Sequence, residues 1–285
     1  MLVRTTFPEP GTAVTCGVSG GADSTALLVL AVAAGCDAEA VHVDHGLRPG
    51  SAREADVVAA TAERVGARFR SVTAPVEPGS NLEARARAVR HAALPEGALL
   101  GHTADDQAET VLLALLRGAG IDGLGGMRSD RRPLLSLRRS ETSALCAALG
   151  FETVDDPSNR DPAFRRTRVR HEVVPVLSDV AHRDIVPVLA RQAELLRDEG
   201  RFLDDLAAEL DPADVAALRG APVVLARRAL RRWLRTEHPP AAADIERVLR
   251  VVAGEHVATE VGGRRIARRG GRLIVEAASA TETGW

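Results

Sequence analysis

From Thr12 onward, short runs of β-branched and small apolar residues alternate with longer stretches whose apolar positions recur at helical spacing. The runs Ala13–Val18, Ala38–Val43, Ala67–Val72 and Ala98–His102 predict strands. The stretches Asp23–Ala34, Ser51–Val65, Asn81–Leu94, Ala104–Leu116 and Ser140–Leu149 predict the helices between and after them. Gly35 and Gly150 stand where a helix C-cap favours a left-handed residue. Strict alternation of strand and helix makes βαβ units, and their right-handed crossovers build a doubly wound, mainly parallel α/β sheet. In such a sheet ligands lie beyond the carboxyl ends of the strands, so the loops after Val18, Val43 and Leu100 are expected to face one crevice.

The pattern then changes. Between Gly118 and Arg139 the chain is too rich in Gly and Arg for regular structure and reads as a mobile loop. The irregular stretch Asp155–Pro162 leads into an arginine-laden segment, Arg165–Arg170, before apolar periodicity resumes at Val173. Helices are predicted over Ile185–Leu206, Pro212–Leu218, Val224–Arg235 and Ala243–Ala253. The tail Ala258–Glu276 alternates like a β-hairpin about the turn Arg269-Gly-Gly-Arg272. This places a catalytic domain in residues 1–182 and a smaller helical domain ending in a hairpin in residues 183–285.

Composition narrows the picture without naming a chemistry. No apolar run approaches the ~20 residues that cross a bilayer, and Met1–Thr12 lacks the apolar stretch of a secretion signal, so the expected address is the cytoplasm. Cys16, Cys36 and Cys146 are far apart and odd in number, which suggests neither a disulfide framework nor a zinc site. The formal charge is −2, so a polyanion partner must be sought in where the charges lie. All 37 Lys-plus-Arg positions are arginine; the chain contains no lysine.

That absence bears on the most informative segment, Ser19-Gly-Gly-Ala-Asp-Ser24, set between the first strand and the first helix. Gly20 and Gly21 let the main chain approach an anion, the helix start offers unpaired N–H groups, and Ser19 and Ser24 add hydroxyls. A Walker A loop requires a lysine, so P-loop kinases and GTPases are excluded, and a dinucleotide fingerprint is poor, since GxGxxG does not fit after Val18. Ser19–Ser24 resembles instead the SGGxDS motif of the PP-loop, or N-type ATP pyrophosphatase, family, which has the adenine nucleotide alpha hydrolase-like fold. The resemblance implies ATP binding by Ser19, Gly20, Gly21, Ala22, Asp23 and Ser24, with Asp23 near Mg2+ and the phosphates.

Further segments sharpen it: Val43-Asp-His-Gly-Leu-Arg48, Glu83–Arg90, Gly101-His-Thr-Ala-Asp-Asp-Gln-Ala-Glu-Thr110, Arg117-Gly-Ala-Gly, Arg132-Pro-Leu-Leu135, Asp156-Pro-Ser-Asn159 and Arg166–Arg170. Together they are similar to the tRNA(Ile)-lysidine synthetases, strongly from about Ala13 to Leu177. In that family ATP adenylates the C2 oxygen of the wobble cytidine in the CAU-anticodon isoleucine tRNA, and free L-lysine then displaces AMP. The resemblance implies catalytic roles for Asp23, His102 and Asp106, with Asp23 and Asp106 as metal ligands and His102 or Asp106 as the base. His45 and Arg117 become candidates for the nucleotide pocket. Acids after a capping Thr103 also commonly do no more than stabilise a helix start, so Asp105 and Asp106 carry a structural reading alongside the catalytic one. The chain departs from the family at His91, where tyrosine is usual, and at Thr167, where asparagine is usual.

Basic side chains recur at Arg227, Arg228, Arg231, Arg232 and Arg235 on one helix, and at Arg264, Arg265, Arg268, Arg269 and Arg272 on the predicted hairpin. With Arg166, Arg168 and Arg170 they form the expected tRNA footprint, the acids between Glu194 and Asp214 lying elsewhere. A homodimer is left open. Rival readings are a PP-loop tRNA thiolase, which calls for a reactive cysteine pair or an iron–sulfur site, an RNA-binding protein without catalysis, and a PP-loop amide synthetase that ignores tRNA.

Overall fold

The computed structural model describes residues 1–44, 51–74, 89, 92–155, 161–237 and 239–277, with residues 51 and 52 by their backbone alone. His45, the motif 156–159 and nearly all of the helix expected over Asn81–Leu94, with His91, lie outside them. The chain divides into two compact units, Met1–Leu196 and Arg197–Trp285.

The first unit is the doubly wound sheet. Four parallel strands, β1 (Ala13–Gly17), β2 (Asp37–Asp44), β3 (Arg68–Thr73) and β4 (Leu99–Leu100), stand in the order β3-β2-β1-β4. Register is set by the apolar runs: Val14 lies opposite Ala38, Cys16 opposite Ala40 on one side and Leu99 on the other. Helix α1 (Ala22–Ala33) is apolar on most of its circumference because it is enclosed, with Leu27, Leu28 and Ala31 at 0% exposure. Each such leucine contributes about 1.5–3 kcal/mol of transfer free energy. Helix α2 (Ser51–Val65) packs against α1, and beyond β4 come α3 (Ala104–Leu116), the single turn α4 (Ile121–Leu124) packed on α3, and α5 (Arg139–Ala148), which also packs against α1.

Since β1 has β2 on one flank and β4 on the other, the winding reverses at β1, and a crevice opens beyond the ends of β1 and β4. β4 is shorter than the predicted Ala98–His102, because Gly101 passes against the start of α1. A Cβ there would lie 2.6 Å from the carbonyl oxygen of Asp23.

The glycine-rich segment after α3 is packed, against the expectation of a mobile loop. Arg131 carbonyl accepts from Leu100 N–H at 2.8 Å, and the Gln107 side chain bonds both main-chain groups of Met127 at 2.8 and 3.2 Å. Leu134 and Leu137 are at 0% exposure. The apolar residues spaced through Met127–Leu137 anchor it, a signal that the Gly and Arg content obscured. Downstream, α6 (Arg165–Arg168) runs through a π-helical turn, Val169–Val173, into α7 (Val174–Val180).

The second unit begins within α8 (Val186–Ala208) and continues with α9 (Val215–Gly220), α10 (Val223–Trp233) and α11 (Ala242–Ala253). Its tail is a three-stranded antiparallel meander, β5 (Ala258–Val261), β6 (Arg264–Arg269) and β7 (Arg272–Ala277), which adds one strand to the predicted hairpin. Two Gly-Gly pairs make its turns: Gly262 and Gly263 have φ of 55° and 72°, Gly270 and Gly271 of 56° and 79°, the double positive φ of two-residue hairpin loops. Leu230, Ile245, Val248 and Ile266 form the core of this unit, each at no more than 1% exposure.

Candidate active site

Ser19–Ser24 forms the turn from β1 into α1. Gly20 holds φ of 86°, and its carbonyl accepts from Val154 N–H at 2.9 Å, which fixes the turn from behind. The Ser24 hydroxyl donates to Gly21 carbonyl at 2.9 Å and accepts from Ser19 N–H at 3.1 Å. Ser19 Oγ lies 3.2 Å from Ser24 Oγ. Gly21 is the N-cap of α1 and gives its first turn no side-chain cap. Those N–H groups are therefore left for an anion, which the positive end of the helix dipole also favours. The turn opens on a cavity of about 630 Å3, lined also by His102, Asp106, Arg139 and Arg170.

The floor of that cavity is a cluster of acids and arginines. At the start of α3, Asp106 Oδ2 accepts from Thr103 N–H at 2.9 Å and from its hydroxyl at 3.1 Å, closing a capping turn. Its Oδ1 accepts from Arg139 Nη2 at 2.9 Å and Arg166 Nη2 at 3.4 Å. The structural and functional readings of Asp106 thus coexist, one on each oxygen. Burial opposes its ionisation, but Arg139 and Arg166 with His102 outweigh that and hold its carboxyl below the usual range. Asp105 turns the other way, to both forks of Arg138 at 3.0 and 3.1 Å and to Arg139 N–H at 2.8 Å.

One turn beyond Asp106, Glu109 is at 1% exposure. It accepts from Arg166 Nε at 2.7 Å, from Arg170 Nε at 2.7 Å and Nη2 at 3.3 Å, and from Arg139 Nη1 at 3.3 Å. These four donors saturate its lone pairs. Asp23, on the first turn of α1, takes Arg139 Nε at 3.3 Å and the Thr142 hydroxyl. Burial pushes its carboxyl up to about 6 and the nearby Asp106 adds to the rise, against the hydrogen bond from Thr142 and the charge of Arg139.

The structure therefore brings Ser19–Ser24, Asp23, His102 and Asp106 around one cavity. Arg117 is not with them: it is exposed at the C-terminal end of α3, about 20 Å along the helix from the end that faces the cavity. Arg166 and Arg170, grouped with the tRNA contacts on sequence, point inward to Glu109 because a carboxylate buried that deeply must be paired. Arg168 faces outward and pairs with Glu172 at 2.9 Å. His45 lies outside the described residues, and His42 is a satisfied core histidine, its Nδ1 3.0 Å from Val18 carbonyl.

Sequence reasoning gave no role to Arg139, Thr142 or Glu109. The signal for Glu109 was its place three residues after Asp106 among Ala108, Val111 and Leu112, an acid on the apolar face of a helix.

In the second unit, Arg228 pairs with Asp204 at 2.6 Å, Arg272 with Asp211 at 2.9 Å, and Arg265 and Arg269 with Glu276 at 3.5 and 2.6 Å. The acids expected to lie elsewhere thus supply two of these partners, because Asp204 and Asp211 fall on elements packed beside the arginines. Arg231 and Arg268 have no ion-pair partner among the described residues.

A family model of the PP-loop domain matches residues 3–177, and one of the TilS substrate binding domain matches residues 214–274. The tRNA(Ile)-lysidine synthase of Nocardia farcinica is 44% identical over 255 residues, covering 84% of this chain and 80% of that one. The chain belongs to the tRNA(Ile)-lysidine synthase family. The Thermobifida fusca member of the family is 39% identical over 299 residues, 94% of this chain and 92% of its own. Among solved structures, the U34-tRNA thiolase NcsA of Methanococcus maripaludis shares the fold at a TM-score of 0.52, with 17% identity over 66% of this chain and 74% of that one.

Proposed function

We propose that this chain makes lysidine: with ATP it adenylates the C2 oxygen of the wobble cytidine in the CAU-anticodon isoleucine tRNA, then joins L-lysine at C2. The observation that carries the reading is the convergence, at one crevice, of an uncapped phosphate loop with an acid cluster, in a chain similar to lysidine synthases over most of its length.

In the first half-reaction the C2 oxygen attacks the α-phosphorus of ATP and pyrophosphate leaves. Main-chain N–H groups at Gly21–Asp23 and the hydroxyls of Ser19 and Ser24 cradle the pyrophosphate, while Arg139 and Arg170 face the charge that develops. In the second, the ε-nitrogen of lysine attacks C2 and AMP departs with the C2 oxygen. The amine must first lose a proton; His102 and Asp106 share the cavity, and of the two His102 suits the role better, since Asp106 is held below the usual carboxylate range by its arginines.

Mg2+ would be held chiefly by Asp23, a carboxylate on the first turn of α1 that faces the cavity beside the phosphate loop. Asp106 would join it through Oδ1, its other oxygen being taken by the helix cap. Bound there, the ion would neutralise phosphate charge as a Lewis acid.

The second unit would hold the tRNA through Arg231 and Arg268, with phosphate contacts dominating the affinity. The thiolase alternative is disfavoured because all three cysteines are buried, burial pushing Cys16 up to about 12 and Cys146 to about 11, away from reactive thiolates.

The test incubates the protein with ATP, Mg2+, labelled L-lysine and CAU-anticodon tRNA. Label in the tRNA with AMP release is expected; ATP turnover indifferent to tRNA would overturn the reading.

A further inference from the structure

The helical run from α6 through the π-helical turn into α7 presents two faces. Arg166 and Arg170 turn inward to Glu109. Thr167, Arg168, His171 and Glu172 share another face, and with Pro162 they line a second hollow of about 270 Å3. His171 belongs to both hollows: it lines the reaction cavity with Arg170 and the second hollow with Arg168. It sits within the π turn Val169–Val173, which rotates the residues after it about the helix axis, a departure from α-helix that recurs at functional sites.

The second hollow has the size and the groups for one nucleobase. Its volume falls just below the ~300 Å3 at which pockets for whole small molecules begin. His171 is exposed, and an imidazole is one of the side chains on which unstacked RNA bases stack. Arg168 and Glu172 supply groups for a base edge. Arg168 Nε reaches the two Glu172 oxygens at 3.1 and 3.2 Å and Nη2 reaches one at 2.9 Å, which leaves Nη1 without a partner among the described residues and the carboxylate with further lone pairs. Both side chains are more than half exposed, so the pair adds little to stability and its edge stays open to a ligand. The substrate is a polynucleotide. Once its reacting base leaves the stack and enters the cavity, chain continuity brings the adjoining nucleotide to the rim, where His171 stands.

We propose that this hollow takes the base of a nucleotide adjoining the wobble cytidine, stacked on the His171 ring with its edge toward Arg168 and Glu172. The inference rests on the lysine-transfer reading and deepens it. Holding the neighbour fixes how far the cytidine reaches into the cavity, so the hollow acts on the rate of transfer as well as on tRNA affinity. The ligand class is a single nucleobase one step along the chain from the reacting one, on its 3′ or its 5′ side.

The test measures lysine transfer by the full chain, as kcat/KM, for CAU-anticodon tRNA and for the same tRNA carrying an abasic nucleotide on the 3′ or the 5′ side of the wobble cytidine. Removing the base that occupies the hollow should cut kcat/KM by about 5-fold or more, the worth of one base stacked on a ring, and the position that responds identifies the neighbour. His171→Ala should lose a similar factor on intact tRNA and nothing further on the responsive abasic tRNA, because both changes remove one contact. His171→Phe, which keeps a stacking face, should restore most of the rate on intact tRNA. Arg168→Ala carries the same comparison if His171→Ala does not fold. Losses that multiply when variant and abasic tRNA are combined, or wild-type rates indifferent to both abasic positions, overturn the inference while transfer to intact tRNA stands. Absence of transfer to intact tRNA by the wild type sinks the functional reading beneath it.

Discussion

The two units draw on the same basic residue and put it to opposite uses. In the first, Arg139, Arg166 and Arg170 converge on Glu109, whose side chain is 2% exposed. In the second, Arg227, Arg269 and Arg272 meet Glu246, Glu276 and Asp211 at a wet surface, and Arg231 and Arg268 meet no acid among the described residues. Exposed pairs contribute roughly 0–1 kcal/mol, whereas breaking a buried pair strands a charge at a cost of about 3–5 kcal/mol. The depth of the nearest carboxylate, rather than the arginine itself, decides whether a guanidinium becomes architecture or remains available to a phosphate.

The contrast can be broken most severely at Glu109. Glu109→Leu leaves three guanidiniums facing an apolar group and should lower stability by about 3–5 kcal/mol, seen as a large fall in Tm; an unchanged Tm would mean the cluster is not held as described. Next comes Asp23→Asn, expected to cut lysine transfer by about 10²–10³-fold with the fold intact by circular dichroism, since it removes a charge at the phosphate end. Near-normal transfer would discredit Asp23 as a site residue.

Gly101→Ala follows. Its Cβ would meet the Asp23 main chain at 2.6 Å, so α1 must shift, costing about 1–3 kcal/mol together with part of the ATP affinity. Equilibrium unfolding and ATP titration read both effects.

The pH dependence of stability gives a further, comparable term. Asp23 titrates at 3.8 unfolded and about 6 folded, so the folded state holds more proton across that window and stability falls as pH rises through it. At about 1.4 kcal/mol per pKa unit the loss approaches 3 kcal/mol, and Asp23→Asn should abolish it. Asp105 and Asp106, with lowered values, act in the opposite sense and at lower pH, where protonation on acidification removes their contribution. Thermal unfolding of wild type and variant between pH 4 and 7 isolates the Asp23 term, and parallel profiles would refute it.

The smallest effect belongs to the second unit. Arg268→Ala should leave Tm unchanged and reduce the salt slope of tRNA binding by about one phosphate contact. Arg269→Ala, removing an arginine already paired with Glu276, should do less. Equal losses would place the tRNA elsewhere.

Much of this was legible in the chain. Helix α3 begins and ends where the apolar spacing and Thr103 place it, at Ala104 and Leu116, and the strand β1, the turn Ser19–Ser24 and helix α1 follow from residues adjacent in sequence. Periodicity, caps and a phosphate loop are local, involving neighbours within one or two turns, so the sequence states them directly. The parallel, doubly wound sheet and a crevice beyond its strand ends followed from the same alternation through handedness, whereas the order β3-β2-β1-β4, which puts that crevice at β1 and β4, came only with the fold.

What the tertiary structure alone decided is which distant charges meet. Asp23 and Thr142 lie 119 positions apart, Glu109 and Arg170 lie 61 apart, and no local rule pairs them. The segment Gly118–Arg139 is pinned by Leu134 and Leu137 only because a core exists to receive them. Burial is a property of the folded whole: it turned two arginines from presumed nucleic-acid contacts into the supports of a buried acid, and it raised one aspartate, while the arginines gathered in the same cavity lowered its neighbour against that burial.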